Sequence, residues 1–424
     1  MNYKTYKYDT YNIYTIQTDK FKNCYIELNF REDIRDVNLS QRSLLGSLMI
    51  HTSKNYPTKR ELAVAKEDLY NPYMSQNITR VGYNLFTSFS LDFINPKYIS
   101  EQDYLEKCLA FYFDILLNPN QKEGHWDEKS FNLMKDQLHL AMDEYKERPT
   151  SFAIQESKKE LFPDSILGKR LVGEHEQLEE VTRESVCEEY DKMFAESKCD
   201  ILIIGNLNMD EVIKYIQKYF YKPSIVQKEI PLIIETPQRK CKEHQVEGPY
   251  TQTQLVVYYS IDELSDWERN FASQIFFRIL GSSSGMNDKL TDYLRVKNSL
   301  CYFCGSSAAL RDSVYVIYVG LNKESVNEAQ KWIDKAVLEM ANGQIDEEMI
   351  EIQKSKFLTD LRLREDSIYG LIDNYYFHEI SGRAMYDEYI VEIPKITKQA
   401  LQKIGKKLHK IYQYVLKEAE HEDN

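Results

Sequence analysis

The chain has 424 residues, of which 42% are hydrophobic and 29% charged, and it contains 15 glycines and 11 prolines. This composition excludes collagen-like and low-complexity proteins, and the length is sufficient for two or more domains. The 54 Lys and Arg residues face 67 Asp and Glu residues, which gives a net charge of −13. An acidic chain without a long basic block is a poor ligand for a phosphate backbone, so we expect no nucleic-acid partner.

The sequence offers no segment for export or for a membrane. The first eight residues carry no apolar stretch of the kind found in signal peptides, and the longest aliphatic run, 201–204, is only as long as a strand. The seven cysteines are scattered, which is typical of reduced thiols in a cytoplasmic protein. Cys301 and Cys304 form one CxxC motif. This motif is compatible with a redox site, half of a zinc site or two small apolar residues on a strand.

Strand and helix signals recur in the same order in both halves of the chain. In the first half, residues 24–30 alternate as a half-buried strand and 38–51 follow as a helix. In the second half, the strand is predicted over 254–259 and the helix over 266–280. Further strands begin at Tyr83 and, at the equivalent place in the second half, at Tyr302.

The offset along the sequence from Tyr83 to Tyr302 also relates two helices that begin with acidic residues, at Asp127 and at Asp346, and it relates Lys135 to Lys354. Thr182 and Thr397, whose offset is slightly smaller, each provide an N-cap before a helix and a final strand. The repeats predict an α+β fold of two homologous α/β sandwiches, each a mixed sheet covered by helices. We place the first repeat at 1–220, a surface linker at 221–250 and the second repeat at 251–424.

The eight histidines contain no metal-binding pair. Neither HExxH nor HxxEH occurs, although two imidazoles on one helix face need that spacing to share a zinc ion. We expect His175 to be a solvated loop residue. The stretch 281–285, GSSSG, lacks the Lys-Ser/Thr of a phosphate-binding loop and is predicted to be a turn.

Three stretches give the chain a resemblance to a known family. They are SLLGSLMIHTSKNYPT at 43–58, the segment from Val172-Gly173 through Tyr190 to IIGNL at 203–207, and Ile279-Leu280-Gly281 with Leu290, Leu294-Arg295 and LCY at 300–302. Their order and spacing resemble the insulinase/pitrilysin superfamily of zinc peptidases, in particular its short bacterial and processing-peptidase branch. The resemblance implies a chain that forms one half of a clamshell-shaped peptidase.

The zinc site of that family is degenerate here. When the sequences are aligned on Lys54-Asn55-Tyr56-Pro57, the family's HxxEH motif falls on Ser43, Gly46 and Ser47, and its third ligand falls on Met142. The imidazoles and the general base are absent, so the resemblance implies a non-catalytic homologue with no metal and no other cofactor. Arg295 and Tyr302 match the Arg and Tyr with which the family's second half holds the substrate backbone and the tetrahedral intermediate.

The resemblance therefore implies a pseudoenzyme subunit of a heterodimeric zinc peptidase. Its partner would be a catalytic paralogue that carries HxxEH and zinc, its substrates would be small peptides, and neither nucleic acid nor a membrane would take part. Two alternatives stay open: a stand-alone peptide-binding or assembly scaffold, and an active metallopeptidase with unrecognised ligands. The sequence also leaves open whether the chain forms a homodimer in isolation.

Overall fold

In a computed structural model, which describes residues 2–222, 229–281 and 287–419, the chain divides into two compact units. The first comprises Met1–Glu144 and Arg170–Pro231, and the second comprises Tyr145–Lys169 and Leu232–Asn424. The predicted turn at 281–285 lies outside the described residues apart from Gly281.

The described strands, in chain order, are β1 Asn2–Lys7, β2 Asn12–Gln17, β3 Asn23–Asp33, β4 Tyr73–Val81, β5 Asn84–Ile94, β6 Gln121–Lys122, β7 His125–Trp126, β8 Lys198–Gly205, β9 Lys242–Glu247, β10 Thr253–Ile261, β11 Cys301–Ala309, β12 Val314–Leu321 and β13 Leu408–Lys417. The described α-helices are α1 Leu39–Met49, α2 Lys59–Glu67, α3 Tyr104–Leu117, α4 Glu128–Asp143, α5 Pro149–Leu161, α6 His175–Glu179, α7 Arg183–Glu196, α8 Met209–Tyr219, α9 Ser273–Leu280, α10 Lys289–Thr291, α11 Val326–Ala341, α12 Glu347–Arg364, α13 Ile368–Leu371, α14 Phe377–Ser381, α15 Tyr386–Glu392 and α16 Lys398–Gly405.

Short helical turns of other types adjoin these helices. The described 3₁₀ turns are Ile34–Asp36, Pro96–Tyr98, Glu144–Glu147, Ile166–Gly168, Lys323–Ser325 and Ile393–Lys395, and the π-helical turns are Glu268–Ala272, Asp292–Lys297 and Ile372–Tyr376. The predicted helix at 266–280 is therefore a π turn that continues into α9.

The two units share one sheet topology. The first sheet has the order β1-β2-β8-β3-β5-β4, and the second, read from its other end, has the order β9-β13-β10-β12-β11, so the two differ only by the extra edge strand β1. The pair β2–β8 and its equivalent β9–β13 are parallel, whereas the remaining neighbours in both sheets are antiparallel. The predicted α+β fold of two homologous repeats is confirmed.

Two lysines at equivalent positions of the repeats make equivalent hydrogen bonds. Lys135 on α4 donates to the carbonyl oxygen of Glu179 at 3.2 Å, and Lys354 on α12 donates to that of Pro394 at 3.1 Å. The two acceptors are related by the same sequence offset as Thr182 and Thr397. Each lysine therefore ties its long helix to the segment that precedes a threonine-capped helix.

The predicted equivalence of Tyr83 and Tyr302 is wrong. Tyr83 precedes β5, whereas Tyr302 lies on β11, which takes the place of β4 in the second sheet. The offset that relates Asp127 to Asp346 holds for α4 and α12 but not for the strands before them. The first unit has a small β6–β7 hairpin between α3 and α4, while only residues 342–346 join α11 to α12, so the offset changes along the repeat.

One helix of the predicted N-terminal repeat packs in the second unit. On α5, Ser157 Oγ lies 2.8 Å from the hydroxyl of Tyr258 on β10, and Thr150 donates to Gln254 on the same strand at 2.8 Å. Every residue of β10 is buried, because α5 covers one face of this strand while Leu255, Val257 and Tyr259 join the core on the other face. Within the predicted linker 221–250, β9 adds an edge strand to the same sheet.

Candidate functional site

Helix α1 carries the three positions on which the sequence alignment places a degenerate zinc-binding motif. Its N-cap is Asn38, whose side chain accepts a hydrogen bond from the backbone N–H of Gln41, so the helix begins where the sequence predicts it. Leu44, Leu45 and Leu48 are fully buried in the core of the first unit. The helix is therefore fixed by apolar contacts, and the residues between those leucines are held in defined positions.

Contacts within the first unit are made by all three of these residues, Ser43, Gly46 and Ser47. Ser43 Oγ donates to the carbonyl oxygen of Leu171 at 3.1 Å, and Ser47 Oγ donates to that of Ser43 at 3.1 Å. Gly46 faces the side chain of Gln76 on β4, and a Cβ atom at position 46 would lie 2.6 Å from Gln76 Nε2. The Gln76 amide therefore fills the space in which a larger residue 46 would stand.

These residues do not fit a zinc ion. The hydroxyls of Ser43 and Ser47 are bonded to carbonyl oxygens, Gly46 has no side chain, and zinc prefers thiolate, imidazole and carboxylate ligands. Met142 on α4 is fully buried in the same apolar core as Leu44. Within 2–222, 229–281 and 287–419, no group of three or more His, Cys, Asp or Glu side chains is suited to hold a metal ion.

A buried arginine beside Ser43 was not singled out from the sequence. Arg42 is fully buried, and its Nε and one terminal nitrogen donate to Glu189 Oε1 on α7 at 3.0 and 2.6 Å. The other terminal nitrogen donates to Glu32 at the end of β3 and to Thr87 Oγ1 on β5 at 3.2 Å. Although burial opposes it, the pKa of Arg42 is raised by the two carboxylates. The guanidinium therefore holds α1 to two strands and to α7.

The prediction that His175 is a solvated loop residue is wrong. His175 begins α6, and its Nδ1 lies 2.8 Å from Nδ1 of His139 on α4. The far nitrogens of these rings face Asp143 at 3.0 Å and Glu179 at 3.2 Å. The ring planes differ by 5°, and the two Nδ1 atoms point at each other, so one donates and the other accepts. Nitrogens paired in this way do not present a common face to a metal ion.

Arg295 and Tyr302 lie on consecutive elements of the second unit. Arg295 is exposed in the π turn Asp292–Lys297, and its guanidinium makes no hydrogen bond or ion pair with the described part of the chain. Tyr302 on β11 is 67% exposed, and its hydroxyl donates only a long hydrogen bond, 3.5 Å, to Asn322 Oδ1. Both polar groups are therefore accessible to a ligand. β11 itself lies at one edge of its sheet.

A sequence family matches part of the chain, and a curated relative matches nearly its whole length. Residues 180–357 match the family described as Peptidase M16 inactive domain. A protein of Bacillus subtilis named "Probable inactive metalloprotease YmfF" is 22% identical over 411 residues, which covers 96% of this chain and 95% of that protein.

Among solved structures, a conserved protein from Enterococcus faecalis superposes with a TM-score of 0.92 at 23% identity and full coverage of both chains. A peptidase M16 inactive domain from Pseudomonas fluorescens superposes with a TM-score of 0.76 at 14% identity over 99% of each chain. At these identities the superpositions establish the fold. Together with the two sequence matches, they confirm the resemblance inferred from the three sequence stretches.

No described helix combines the length and the apolar character that a bilayer crossing requires.

Proposed function

Because the chain is a homologue of the M16 peptidases, the family of insulinase and pitrilysin, and lacks their zinc-binding motif, we propose that it is the non-catalytic subunit of a two-chain peptidase. The partner in this proposal is a paralogue that carries HxxEH and zinc. This chain contributes peptide-binding surface, and Arg295 and Tyr302 assist cleavage in the partner's site. The observation that carries the proposal is the accessible state of these two side chains in a chain whose sequence contains no HxxEH motif.

The chemistry of the two side chains suits this role. A guanidinium and a phenol both donate hydrogen bonds, and donors aimed at a developing oxyanion stabilise the transition state of acyl transfer. Because the guanidinium of Arg295 has no partner among the described residues, it breaks no bond to them when it reaches toward a substrate. We therefore assign Arg295 and Tyr302 to the peptide rather than to the stability of their own unit.

The sheet edges support peptide binding. β4 ends the first sheet and β11 ends the second, and an edge strand can pair with an extended peptide through its unpaired N–H and C=O groups. Small unfolded peptides are the ligands that bind in this way. Peptide capture without a catalytic partner, as a scaffold, rests on the same edges and is the second candidate.

In this proposal the protein acts in the cytoplasm. All seven cysteines are free thiols, and six of them are buried. The fold is therefore complete without a disulfide, and a chain that folds in this way is suited to a reducing compartment.

The experiment combines this chain with the HxxEH paralogue from the same genome and measures cleavage of a fluorogenic peptide. Arg295→Ala and Tyr302→Phe are expected to lower cleavage roughly 10²-fold each, the usual effect of removing one oxyanion donor. The matched controls are Lys297→Ala, an exposed neighbour paired with Asp292, and Tyr369→Phe, which is 72% exposed on another helix. Full cleavage with both site variants, or no complex with any HxxEH paralogue, would refute the proposal. Peptide binding by the chain alone without such a complex would favour the scaffold.

A further inference from the structure

The CxxC motif lies on either side of a β-bulge in β11. Cys301 is opposite Leu321 of β12, Phe303 is opposite Gly320, and Cys304 is opposite Val319. Tyr302 has no partner in this register, so it is the extra residue of the bulge.

The bulge brings the two cysteines to the same face of the sheet. On a regular strand, residues three apart point to opposite faces. Here the cysteines stand opposite Leu321 and Val319, which are two residues apart and both fully buried in the core of the second unit. At about 3.3 Å per residue, that spacing gives a Cα separation of about 6.6 Å. This value lies near the upper end of the range of roughly 4.4–6.8 Å in which disulfides form.

The surroundings of the pair favour one thiolate. The side chain of Cys301 lowers the pKa of Cys304, whereas burial and the charge of Asp288 act in the opposite direction. Thr291 Oγ1, 3.5 Å from Cys304 Sγ, and the charge of Arg295 act in the same direction as Cys301. The pKa of Cys301 is raised by its hydrogen bond with Cys304 and by burial. Because Thr291 and Arg295 both lower the pKa of Cys304, we assign Cys304 as the nucleophile of the pair.

The other cysteines lack these features. Burial raises the pKa of Cys24 to about 12, of Cys108 to about 12 and of Cys187 to about 11. It also raises the pKa of Cys199 and Cys241. A thiol that stays protonated reacts slowly with oxidants. The chain thus contains one pair whose position and surroundings suit oxidation.

We propose that Cys301 and Cys304 are a redox-active dithiol that hydrogen peroxide converts to a disulfide within β11. The Cys304 thiolate attacks one peroxide oxygen, the O–O bond breaks, and hydroxide leaves as the sulfenic acid forms. The Cys301 thiol then attacks the sulfenic sulfur, the S–O bond breaks, and water leaves as the S–S bond forms. Peroxide is reduced by two electrons, and the two thiols are oxidised by two electrons.

The disulfide has a direct consequence for Tyr302. It spans the bulge on both sides of this residue and so fixes the backbone from which the exposed phenol projects. The inference goes beyond the proposed function, since disulfide formation is a property of this chain alone. Its effect on peptide cleavage by the mixed complex is a separate measurement.

The test treats the full chain with hydrogen peroxide under native conditions, quenches it and counts free thiols after denaturation. The count is expected to fall from seven to five. The tryptic peptide 298–311, which contains both cysteines, is expected to lose two hydrogen atoms in mass, and dithiothreitol is expected to reverse both changes. An unchanged thiol count, a change confined to other peptides, or oxidation of Cys304 to sulfinic acid without an S–S bond would each overturn the proposal.

Single variants identify the order of the steps. Cys301→Ser is expected to leave a sulfenic acid on Cys304 that dimedone captures, whereas Cys304→Ser is expected to leave Cys301 unlabelled. Cys241→Ser, which removes the one cysteine that is not buried, is the control and keeps the loss of two thiols. Dimedone capture at Cys301 in the Cys304→Ser variant, at the rate of Cys304, would overturn the assignment of the nucleophile. If a variant fails to fold, the mass of peptide 298–311 from the natural chain still decides the proposal.

Discussion

Replacing Arg42 by Met tests the buried ion group that holds α1 in place. Methionine is unbranched, of similar length and a good helix former, so the change removes the charge and its hydrogen bonds while it keeps the helix and much of the packing. Arg42 has no exposed side-chain surface, and the side chains of its partners Glu32 and Glu189 are 10% and 8% exposed. The substitution therefore leaves two carboxylates in a nearly dry site without their cation.

The expected cost follows from that geometry. Removing one partner of a buried ion pair typically costs about 3–5 kcal/mol, because the remaining charge is neither hydrated nor paired. For a unit of this size, each kcal/mol shifts the melting temperature by about 2–4 °C, so we expect the first unit to melt about 6–20 °C lower.

The assay is urea and thermal unfolding followed by circular dichroism. Arg35→Met is the matched control, because Arg35 pairs with Asp33 but its side chain is 52% exposed, and an exposed pair contributes about 0–1 kcal/mol. The triple variant Arg42→Met, Glu32→Gln, Glu189→Gln should recover part of the loss, since it removes the unpaired charges. An Arg42→Met chain whose free energy of unfolding stays within about 1 kcal/mol of the natural chain would refute the reasoning.

Two further predictions concern the α1 positions aligned with the zinc motif and an ion pair of the second unit. Introducing HxxEH by Ser43→His, Gly46→Glu and Ser47→His should not create a stoichiometric zinc site, because the buried Met142, on which the alignment places the third ligand, is not a zinc-binding side chain of the usual kind. About one zinc per chain by elemental analysis after dialysis would contradict this. Glu339 accepts hydrogen bonds from Lys289 at 2.6 Å and Tyr293 at 2.7 Å, and although burial opposes them, these partners lower its pKa below 4.5. Glu339→Gln should therefore destabilise the chain by roughly 1.5 kcal/mol at pH 7 and progressively less as the pH falls below about 4.5. A loss of stability in urea unfolding that does not change with pH would contradict this prediction.

The parts of the fold that could be predicted are those with local signals. Asp127 and Asp346 cap α4 and α12, and Thr182 and Thr397 cap α7 and α16, as the sequence indicates, because a capping side chain bonds to backbone groups within three residues. The same holds for the strand and helix periods around β3 and α1. Such features depend on neighbours along the chain, so one sequence is sufficient to find them.

The features that the sequence did not reveal depend on residues far apart in the chain. Gln76 lies against Gly46, Arg42 bonds to Glu189, and His139 faces His175, and no local pattern joins these residues. One signal was available for Arg42, since it is the sole charged residue of α1 and a charge on a helix that packs into a core needs a partner. The alignment proposes Ser43, Gly46 and Ser47 as motif positions, but it could not predict the contacts that these residues make.

The path of the chain through α5 constrains how the protein can be synthesised and divided. The first unit is interrupted after Glu144 and resumes at Arg170, and the excursion between these points covers a face of a sheet whose strands β10 to β13 are translated later. During synthesis from the N-terminus, α5 can therefore pack against its sheet only after the later strands of that sheet have been synthesised. A cut in the 221–250 segment would leave the downstream fragment with the buried side chain of Tyr258 uncovered. A division of the chain in this segment therefore does not separate the two units, because α5 of the second unit precedes the cut.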